Sequence, residues 1–319
     1  MQRKGIRQRV KILKILTQFE FISGQSIANS CNISRIAVWK HINYLKDNGV
    51  KIDTHSNKGY SFIDFGNRLL PEIIELKLPK GSLVKDIIYF DSVDSTNNVA
   101  KRVLKEGSLA IAEQQDRGRG RGGKEWKSQK YKDILFSLTI SPNVPYYYLP
   151  IFNIIGSLSV ARALNKLFKI GAKTKWPNDV LIDGKKVSGI LVEFIAELNL
   201  IDKLIMGIGV DVNSKPKIST ASSIASILKE NNLDRFSILI AIIDELNSFI
   251  ELVEKKDFNK IKSIWNKYSF DFKKRVRVVE FERNIIGSSG GIDSYGNLIV
   301  CKGSKTDAVY PTESIKIIK

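Results

Sequence analysis

Histidine is nearly absent from this chain. Among its 319 residues only His41 and His55 are histidines, and both lie in the first fifth of the sequence. Chemistry in residues 60–319 must therefore proceed without imidazole, which excludes Ser-His and Cys-His hydrolytic mechanisms and histidine-rich metal sites there. Cysteine is equally scarce, because Cys31 and Cys301 are the only two and have no metal-ligand spacing. The sequence predicts a reduced protein without disulfides or structural zinc.

Long apolar runs are absent as well. No stretch approaches the roughly 20 apolar residues that span a bilayer, and the Met1-Gln-Arg-Lys start has no signal-peptide core. We therefore expect a cytoplasmic protein without a membrane partner. The hydrophobic residues, 43% of the chain, are enough to build the cores of two or three domains.

Positive charge, in contrast, is present in large excess. The formal net charge is +18, and residues 1–60 alone carry eleven Lys or Arg against three acidic residues, a net charge of +8. Such an excess favours polyanionic partners. Part of the remaining +10, which is spread over the rest of the chain, is the bias of a solvated, lysine-rich surface.

One loop combines this charge with flexibility. Residues 117–126, Arg-Gly-Arg-Gly-Arg-Gly-Gly-Lys-Glu-Trp, contain four cationic side chains and four glycines. Glycine lets the backbone approach a ligand closely, and arginine offers forked donors that match phosphate or carboxylate oxygens. The composition predicts a clamp for a nucleotide that is mobile until an anion orders it. A solvated basic loop or an RGG-like RNA-binding segment is the alternative.

Two phosphate-binding fingerprints match this loop, and both are rejected. Gly118 to Gly123 fits the G-x-G-x-x-G dinucleotide pattern and, with Lys124, most of a P-loop. Glu125 stands where a P-loop needs Ser or Thr for magnesium. Both fingerprints also require a helix directly after the glycines, so that its N-terminus can hold phosphates. Residues 134–140 predict a strand instead.

The first 65 residues predict a winged helix-turn-helix. Apolar spacing of helical period indicates the helices, a serine caps the third of them, and alternating residues indicate the hairpin that forms the wing. The predicted elements are a helix over 10–19, a short helix over 25–30, a longer helix over 35–46 and two strands over 50–54 and 59–63.

The third of these helices is expected to bury one face and to expose the other. The predicted buried face repeats every three residues and consists of Ile36, Trp39, Ile42 and Leu45. Contacts with DNA are expected from the other side and from the wing. The DNA-binding candidates are Ser34, Arg35, Lys40, Asn43 and Lys58. A trihelical protein-interaction module is the alternative, and the local charge of +8 favours DNA.

The centre of the chain mixes strands and helices. The polar turn over 91–98 opens a helix whose free amides favour an anion, although simple capping by Ser95 or Thr96 is at least as well supported. Lys186 starts a strand and either snorkels at an edge or directs its ammonium group into a pocket. The other predictions are strands over 87–90, 109–113, 134–140 and 204–213, an amphipathic helix over 152–168, and a hairpin over 180–193 with its turn at Asp183-Gly184.

Residues 271–319 predict a small antiparallel barrel. Because so few residues form only a thin core, this barrel should dock on the central domain. Its predicted strands are 275–280, 284–288, 298–301 and 308–310, with turns in 290–296.

Five motifs in order resemble the catalytic domain of biotin protein ligases. They are Ser95-Thr96-Asn97, Gly118-Arg-Gly-Arg121, Lys175-Trp-Pro-Asn-Asp179, Lys186-Val-Ser-Gly-Ile-Leu-Val-Glu193 and Gly207-Ile-Gly-Val-Asp-Val-Asn213. The front helix-turn-helix resembles that of the bifunctional members, the biotin operon repressors. The resemblance implies a mixed α+β protein. Its expected domains are a winged helix-turn-helix over 1–65, a class II synthetase-like α/β ligase domain over 66–270 and an SH3-like β-barrel over 271–319.

The resemblance also implies a reaction. ATP and Mg²⁺ would activate biotin to biotinyl-5′-AMP, from which biotin passes to one lysine of a biotin carboxyl carrier protein. The first step needs two anions held in line but no general base, because a carboxylate is already anionic at pH 7. This agrees with a catalytic segment that lacks histidine. With adenylate bound, a homodimer is expected to repress biotin genes on operator DNA.

Motif positions imply roles for eleven residues, and no protein metal site is expected. Lys186 would neutralise the biotin carboxylate and then the adenylate phosphate, Trp126 would cover the adenine, and Asp179 would help to deprotonate the incoming lysine. Asn178 and Asp179 would lie near the ribose and the metal. The catalytic candidates are Lys186, Arg119, Arg121 and Asp179. The ligand-binding candidates are Ser95, Thr96, Asn97, Gln115, Arg119, Gly120, Arg121, Trp126, Asn178 and Lys186.

The loop departs from the family pattern at Asp116 and at Gly122. Asp116 is an unexpected anion beside a phosphate clamp. It is expected either to pair with Arg117 or Lys124 as a gate or to be incidental. Two rival functions stay open at this point: a lipoate ligase with the same central fold, and a ligand-sensing transcription factor that binds its ligand without turnover.

Overall fold

The computed structural model describes residues 2–280, 283–311 and 315–317. This part of the chain forms two compact units, Met1–Lys80 and Gly81–Lys319. The three predicted domain ranges stay predictions. Nine α-helices lie in the described residues, and none of them is long and apolar enough to cross a membrane. Their bounds are α1 Gln2–Leu16, α2 Gly24–Cys31, α3 Arg35–Asp47, α4 Pro71–Lys77, α5 Thr96–Val103, α6 Leu149–Phe168, α7 Ile224–Leu228, α8 Arg235–Glu254 and α9 Phe258–Tyr268.

The strands of the described residues form a hairpin, a seven-stranded sheet and a five-stranded sheet. Their bounds are β1 Lys51–His55, β2 Gly59–Asp64, β3 Asp86–Phe90, β4 Ser108–Ala112, β5 Ile134–Ile140, β6 Lys173–Lys175, β7 Asp179–Ile182, β8 Lys185–Glu197, β9 Leu200–Val210, β10 Arg275–Glu280, β11 Arg283–Ile292, β12 Leu298–Lys302, β13 Lys305–Val309 and β14 Ile315–Ile317.

The first unit is a winged helix-turn-helix, as predicted. Helices α1, α2 and α3 pack on one another, and β1 pairs with β2 in an antiparallel wing. Asn32 ends α2 in the left-handed conformation, with φ of 52°. Ser34 caps α3, because its hydroxyl accepts a hydrogen bond from the Ala37 N–H at 3.2 Å.

The buried face of α3 differs from the predicted one. Val38, Ile42 and Leu45 are fully buried, whereas Ile36 and Trp39 are 69% and 55% exposed. The prediction for Ile36 and Trp39 was wrong because a repeat of three residues drifts around a helix that has 3.6 residues per turn. Over nine residues this drift reaches about half a turn. Ile36 and Leu45 therefore point to opposite sides.

A helix that the sequence analysis did not predict completes the first unit. Helix α4 packs against α1, where the Arg9 Nε lies 2.6 Å from Oε1 of the buried Glu72. Its first residue is Pro71, at the position where a missing N–H costs no helical hydrogen bond. An isolated helix of this length is unstable in water, so tertiary packing rather than local propensity forms it.

The second unit is built on the seven-stranded sheet. The strand order is β3-β4-β5-β9-β8-β7-β6, with β3 parallel to β4 and the other pairs antiparallel. Helix α6 packs on one face, where Gly156 lies against Ile190 and Met206. Side chains alternate between the two faces of a strand. The other face therefore carries Gly207, whose neighbour is Asn97 of α5.

Helix α6 was predicted to be amphipathic, and this prediction was wrong. Every residue from Pro150 to Ala161 is buried, because the sheet covers one side of the helix while α8 and α9 pack against it as well. The hydroxyls of Ser157 and Ser159 stay satisfied, since they donate to backbone carbonyls of the same helix at 2.9 and 2.7 Å. A helix that is buried all round shows little hydrophobic periodicity.

The C-terminal strands form the expected SH3-like antiparallel sheet, in the order β13-β12-β11-β10-β14. The predicted turn over 290–296 was too long. Gly291 lies inside β11, where the pairing with β12 shifts register, and only residues 293–296 form the turn. Trp176 joins this sheet to the central one, because its indole N–H donates to the Gly296 carbonyl at 3.2 Å and its backbone N–H to Asp271 Oδ2 at 2.8 Å.

Asp271 gives this junction a pH-dependent stability. Burial raises the pKa of its carboxyl to about 6, against the hydrogen bond from Trp176. The folded state therefore holds the proton more tightly than the unfolded state, and the free energy of unfolding falls as the pH rises from about 4 to about 6. Asp271→Asn removes this titration and keeps an acceptor for Trp176.

We expect the Asp271→Asn variant to match the wild type near pH 3 and to exceed its free energy of unfolding by about 3 kcal/mol at pH 7. Urea denaturation across this pH range measures the difference. A variant that follows the wild-type curve at every pH would contradict the assignment.

Candidate active site

One cavity of about 940 Å³ lies over the sheet face opposite α6. All eleven residues implicated by motif position line it, although their roles stay predictions. They come from five separate segments: the start of α5, the end of β4, the Arg-Gly loop, the β6–β7 turn and the start of β8. The eleven are Ser95, Thr96, Asn97, Gln115, Arg119, Gly120, Arg121, Trp126, Asn178, Asp179 and Lys186.

Glycines of β8 and β9 form the floor of the cavity beneath Trp126. A β-carbon at Gly209 would lie 2.6 Å from the Cε2 atom of Trp126, and one at Gly189 would lie 3.0 Å from its Cζ3 atom. The indole ring thus rests on the backbone at a distance that a side chain would prevent. Its N–H is buried without a hydrogen-bond partner among the described residues, so a ligand acceptor would relieve an unfavourable burial.

The start of α5 differs from both predicted alternatives. Ser95 makes no side-chain capping hydrogen bond, and the Thr96 hydroxyl donates to Gln115 Oε1 at 3.1 Å. The first amides are not free either, because the Thr96 N–H donates to the same oxygen at 2.8 Å and the Ser95 N–H donates to Asp94. Hydrogen bonds from Asn98 and from Ser95 hold the pKa of Asp94 below its usual value. This helix start is therefore not an anion site by itself.

A buried polar network lies behind that helix start. The Ser137 Oγ lies 2.7 Å from Thr96 Oγ1 and 2.6 Å from Asn97 Oδ1, and the Asn97 side chain donates to Glu193 Oε2 at 2.7 Å. A network with its partners in place fixes the positions of its side chains in a low-dielectric setting. Ser137 was not predicted as a site residue, and its one signal in the sequence is that it is a small polar residue inside the apolar strand β5.

Arg119 already has acidic and amide partners. Its Nη2 lies 2.8 Å from Asn98 Oδ1 and 3.2 Å from Glu193 Oε2, while Lys101 Nζ lies 2.7 Å from Glu193 Oε1. Burial acts to raise the pKa of Glu193, but hydrogen bonds from Lys101 and Asn97 and the charge of Arg119 lower it overall. Glu193 is thus an anion that any negatively charged ligand must compete with for Arg119.

Lys186 is held in the same way. Its Nζ lies 2.6 Å from Asp179 Oδ1 and 5.5 Å from the ring centroid of Trp126. Of its two predicted placements, the structure shows the one in the cavity. The neighbouring Asn178 uses its amide to donate to the Ile190 carbonyl at 2.7 Å, which ties the β6–β7 turn to β8.

The Arg-Gly loop follows a defined path across the cavity. The backbones of Arg119 and Glu125 pair in an isolated antiparallel β-bridge, and residues 121–123 form a short 3₁₀ turn. The Arg121 guanidinium donates to the Pro311 carbonyl, which follows β13. Burial lowers the pKa of Arg121, against the charges of Asp179 and Tyr310. Arg121 thereby links the loop to the segment that follows β13.

Asp116 does not form the predicted gate in the described residues. Its Oδ2 accepts a hydrogen bond from the Ser92 hydroxyl at 2.9 Å, and its Oδ1 accepts one from the Gln114 amide at 3.3 Å. The pairing with Arg117 or Lys124 was wrong because polar groups nearer in the fold satisfy the carboxylate first.

The cavity wall also contains two acids that were not predicted from the sequence, Asp133 and Asp211. Burial and then the charge of Asp133 raise the pKa of Asp211 to about 8, while Lys186 acts to lower it. Burial also raises the pKa of Asp133, although backbone N–H groups of Gln129 and Val212 donate to its carboxylate. Asp211 belongs to the Gly207–Asn213 motif, but no role was predicted for its carboxyl group.

Comparison with known proteins agrees with this architecture. The model of the biotin/lipoate A/B protein ligase family matches residues 89–211, and that of an HTH domain matches residues 8–61. The bifunctional ligase/repressor BirA of Bacillus subtilis is 30% identical over 303 residues, which are 92% of this chain and 93% of that protein. BirA of Escherichia coli is 30% identical over 305 residues, covering 91% of each.

A solved structure shares much of this fold and part of the sequence. The biotin protein ligase from Aquifex aeolicus in complex with biotin and ATP superposes with a TM-score of 0.65 at 27% identity, covering 73% of this chain and all of that one.

The second unit has a ligase-type cavity with paired cations, and the first unit is a helix-turn-helix. These two features define the class, which is a small-molecule ligase that also carries a DNA-binding domain. The chain belongs to the biotin/lipoate A/B protein ligase family, among its bifunctional ligase/repressors.

Proposed function

We propose that this protein joins biotin to ATP to form biotinyl-5′-AMP and pyrophosphate, and then transfers biotin to one lysine of a biotin carboxyl carrier protein. The observation that carries the proposal is the cavity itself. It gathers Lys186, Arg119 and Arg121 over a glycine floor, with Asp179 as the present partner of Lys186 and Glu193 as that of Arg119. The names and bound ligands of the relatives support biotin over lipoate as the acid.

In the first step a biotin carboxylate oxygen attacks the α-phosphorus of ATP, and the bond to pyrophosphate breaks. Both reactants are anions, so the site must offset their repulsion and hold them in line. Lys186 exchanges Asp179 for the biotin carboxylate and then for the adenylate phosphate. Arg119 exchanges Glu193 for the same negative charge. No proton moves in this step, which suits a cavity without histidine.

In the second step the carrier lysine attacks the adenylate carbonyl and AMP leaves. The attacking amine must lose a proton, and Asp179 is the acceptor that we propose. Once Lys186 turns to the phosphate, Asp179 loses the partner that lies 2.6 Å away and becomes a free carboxylate at the reacting atoms.

Mg²⁺ fits this cavity only together with the nucleotide. The described residues contain no group of three or more His, Cys, Asp or Glu side chains that could hold a metal ion by itself. Mg²⁺ on a nucleotide needs only one or two protein carboxylates, because phosphates and waters supply the other ligands. Asp179 lines the cavity and is the carboxylate we assign. The ion would supply charge neutralisation on the leaving pyrophosphate.

We expect pyrophosphate release from ATP to depend on added biotin, and lipoate not to replace it. Lys186→Met should lower the rate at least about 100-fold, the effect of removing one preorganised donor of transition-state charge. The neighbouring Lys185→Met is the matched control, because Lys185 is exposed and lies outside the cavity lining. Binding of biotin without any pyrophosphate release would favour a ligand-sensing transcription factor and contradict the enzyme.

Asp179→Asn should separate the two steps. We expect transfer of biotin from preformed biotinyl-5′-AMP to the carrier lysine to slow by about 100-fold, the usual contribution of a general base. The defect should shrink as the pH rises, since more of the amine is then deprotonated. Asp183→Asn in the exposed β7–β8 turn is the control. Full transfer activity in Asp179→Asn would rule this role out.

We propose that the adenylate also acts as the corepressor. In this scheme bound adenylate promotes a homodimer, and two winged helix-turn-helix units then bind an operator with two half-sites. The net charge of +8 in residues 1–60 and the helix-turn-helix match support DNA as the partner of the first unit.

Gel-shift titration of the full-length protein on a biotin-gene operator tests the corepressor. Biotin and ATP together should tighten DNA binding at least tenfold, whereas biotin alone or ATP alone should have little effect. The same DNA affinity in all four conditions would contradict the corepressor scheme and leave the ligase proposal intact.

A further inference from the structure

The exposed face of α3 carries large apolar side chains. Ile36 is 69% exposed and Trp39 is 55% exposed, and the exposed Lys40 and half-buried Asn43 complete the same face. These four residues occupy positions i, i+3, i+4 and i+7, which lie along one stripe of a helix. The fully buried residues of α3 lie on the opposite side. Nothing in the packing of the helix therefore requires an isoleucine and a tryptophan at these two positions.

The charge around this stripe indicates what covers it. Residues 1–60 carry a net charge of +8, and the exposed Arg35 and Lys40 lie directly beside Ile36 and Trp39 on α3. A second copy of this surface would bring two strongly positive faces together and be repelled. A polyanion is attracted instead. Yet phosphates alone would leave the two apolar side chains without a partner.

Duplex DNA has both the charge and an apolar group in reach. In the major groove the base edges present hydrogen-bond donors and acceptors together with one apolar substituent, the C5-methyl group of thymine. Helix-turn-helix proteins place the N-terminal residues of the second helix of the motif against these edges. Ile36 and Trp39 are the second and fifth residues of α3. They stand at the positions that would meet the bases.

We infer that Ile36 and Trp39 read thymine methyl groups in the major groove and thereby determine which DNA sequence this protein selects. The inference rests on the proposed DNA binding and adds the bases that are recognised. Lys40 and Asn43 supply polar contacts on the same stripe. Ser34, at the helix start, and Lys58, in the wing, contact the backbone phosphates and fix the register.

Deoxyuridine provides a direct test, because it differs from thymidine only in lacking the C5-methyl group. The full-length protein, with biotin and ATP, is used to select duplexes from a random pool. The most enriched duplex is then synthesised with each thymine replaced singly by uracil. We expect wild-type affinity to fall about fourfold at each position whose methyl is contacted, the equivalent of ~0.8 kcal/mol per buried apolar carbon. Other positions should be unaffected.

Variants assign each methyl group to a side chain. Trp39→Ala should bind the thymine and uracil duplexes equally at one position, and Ile36→Ala should do so at another. Both side chains are exposed, so circular dichroism and the thermal midpoint should stay as in the wild type. Lys58→Ala is the contrasting control. It should weaken binding to all duplexes alike and lower the salt dependence by about one phosphate contact.

The possible results separate this inference from the function on which it rests. If no duplex is enriched, the proposed DNA binding fails and the inference fails with it. If a duplex is enriched but uracil changes the wild-type affinity at no position, the inference alone is wrong. The inference is equally wrong if Trp39→Ala and Ile36→Ala keep the wild-type sensitivity to uracil. If, in addition, the two variants no longer self-associate in sedimentation, the apolar stripe is a contact between two copies of this chain and not a contact with DNA.

Discussion

The pairing of cations with carboxylates inside one cavity is the interaction on which this protein's chemistry depends. Lys186 is held by Asp179 at 2.6 Å, and Arg119 lies 3.2 Å from Glu193. Breaking such a partly buried pair without replacement is costly, because a charge is then left unpaired in a low-dielectric setting. The pairs thus keep the cations in position, and a ligand must offer its own negative charge to displace the carboxylates. The ion pairs of the ligand-free cavity therefore make the cavity selective for anionic ligands.

The sheet makes this pairing possible by bringing distant segments together. Strands β8 and β9 are neighbours, so Gly189 and Gly209 form one smooth surface on which Trp126 lies. On the opposite face α6 is buried almost completely and gives the sheet a rigid backing. In many proteins a packed scaffold positions the loops that carry function. Here the sheet and α6 form the scaffold, and the Arg-Gly loop lies above it.

Much of this architecture was predictable from the sequence, and the failures have physical causes. The hairpin turn at Asp183-Gly184 and the cap at Ser34 are local features, and both were predicted correctly. Tertiary packing decides the short helix α4 and the complete burial of α6, so local pattern failed there. On α3 the predicted face failed because a three-residue repeat does not match the helical period.

The candidate site was predictable as a set of residues but not as a set of pairs. Motifs name residues one segment at a time, and all eleven named residues do line the cavity. Partners such as Glu193 for Arg119, or the acid Asp211 beside Lys186, arise only when strands come together. Local rules likewise suggested free amides at the start of α5, where Asp94 and Gln115 in fact accept the hydrogen bonds.

A crystal structure with biotinyl-5′-AMP bound tests the central claim most directly. We expect Lys186 Nζ to leave Asp179 and to lie within hydrogen-bond distance of the adenylate, and Arg119 to release Glu193. An adenylate bound outside this cavity, or one that leaves both ion pairs unchanged, would contradict the claim.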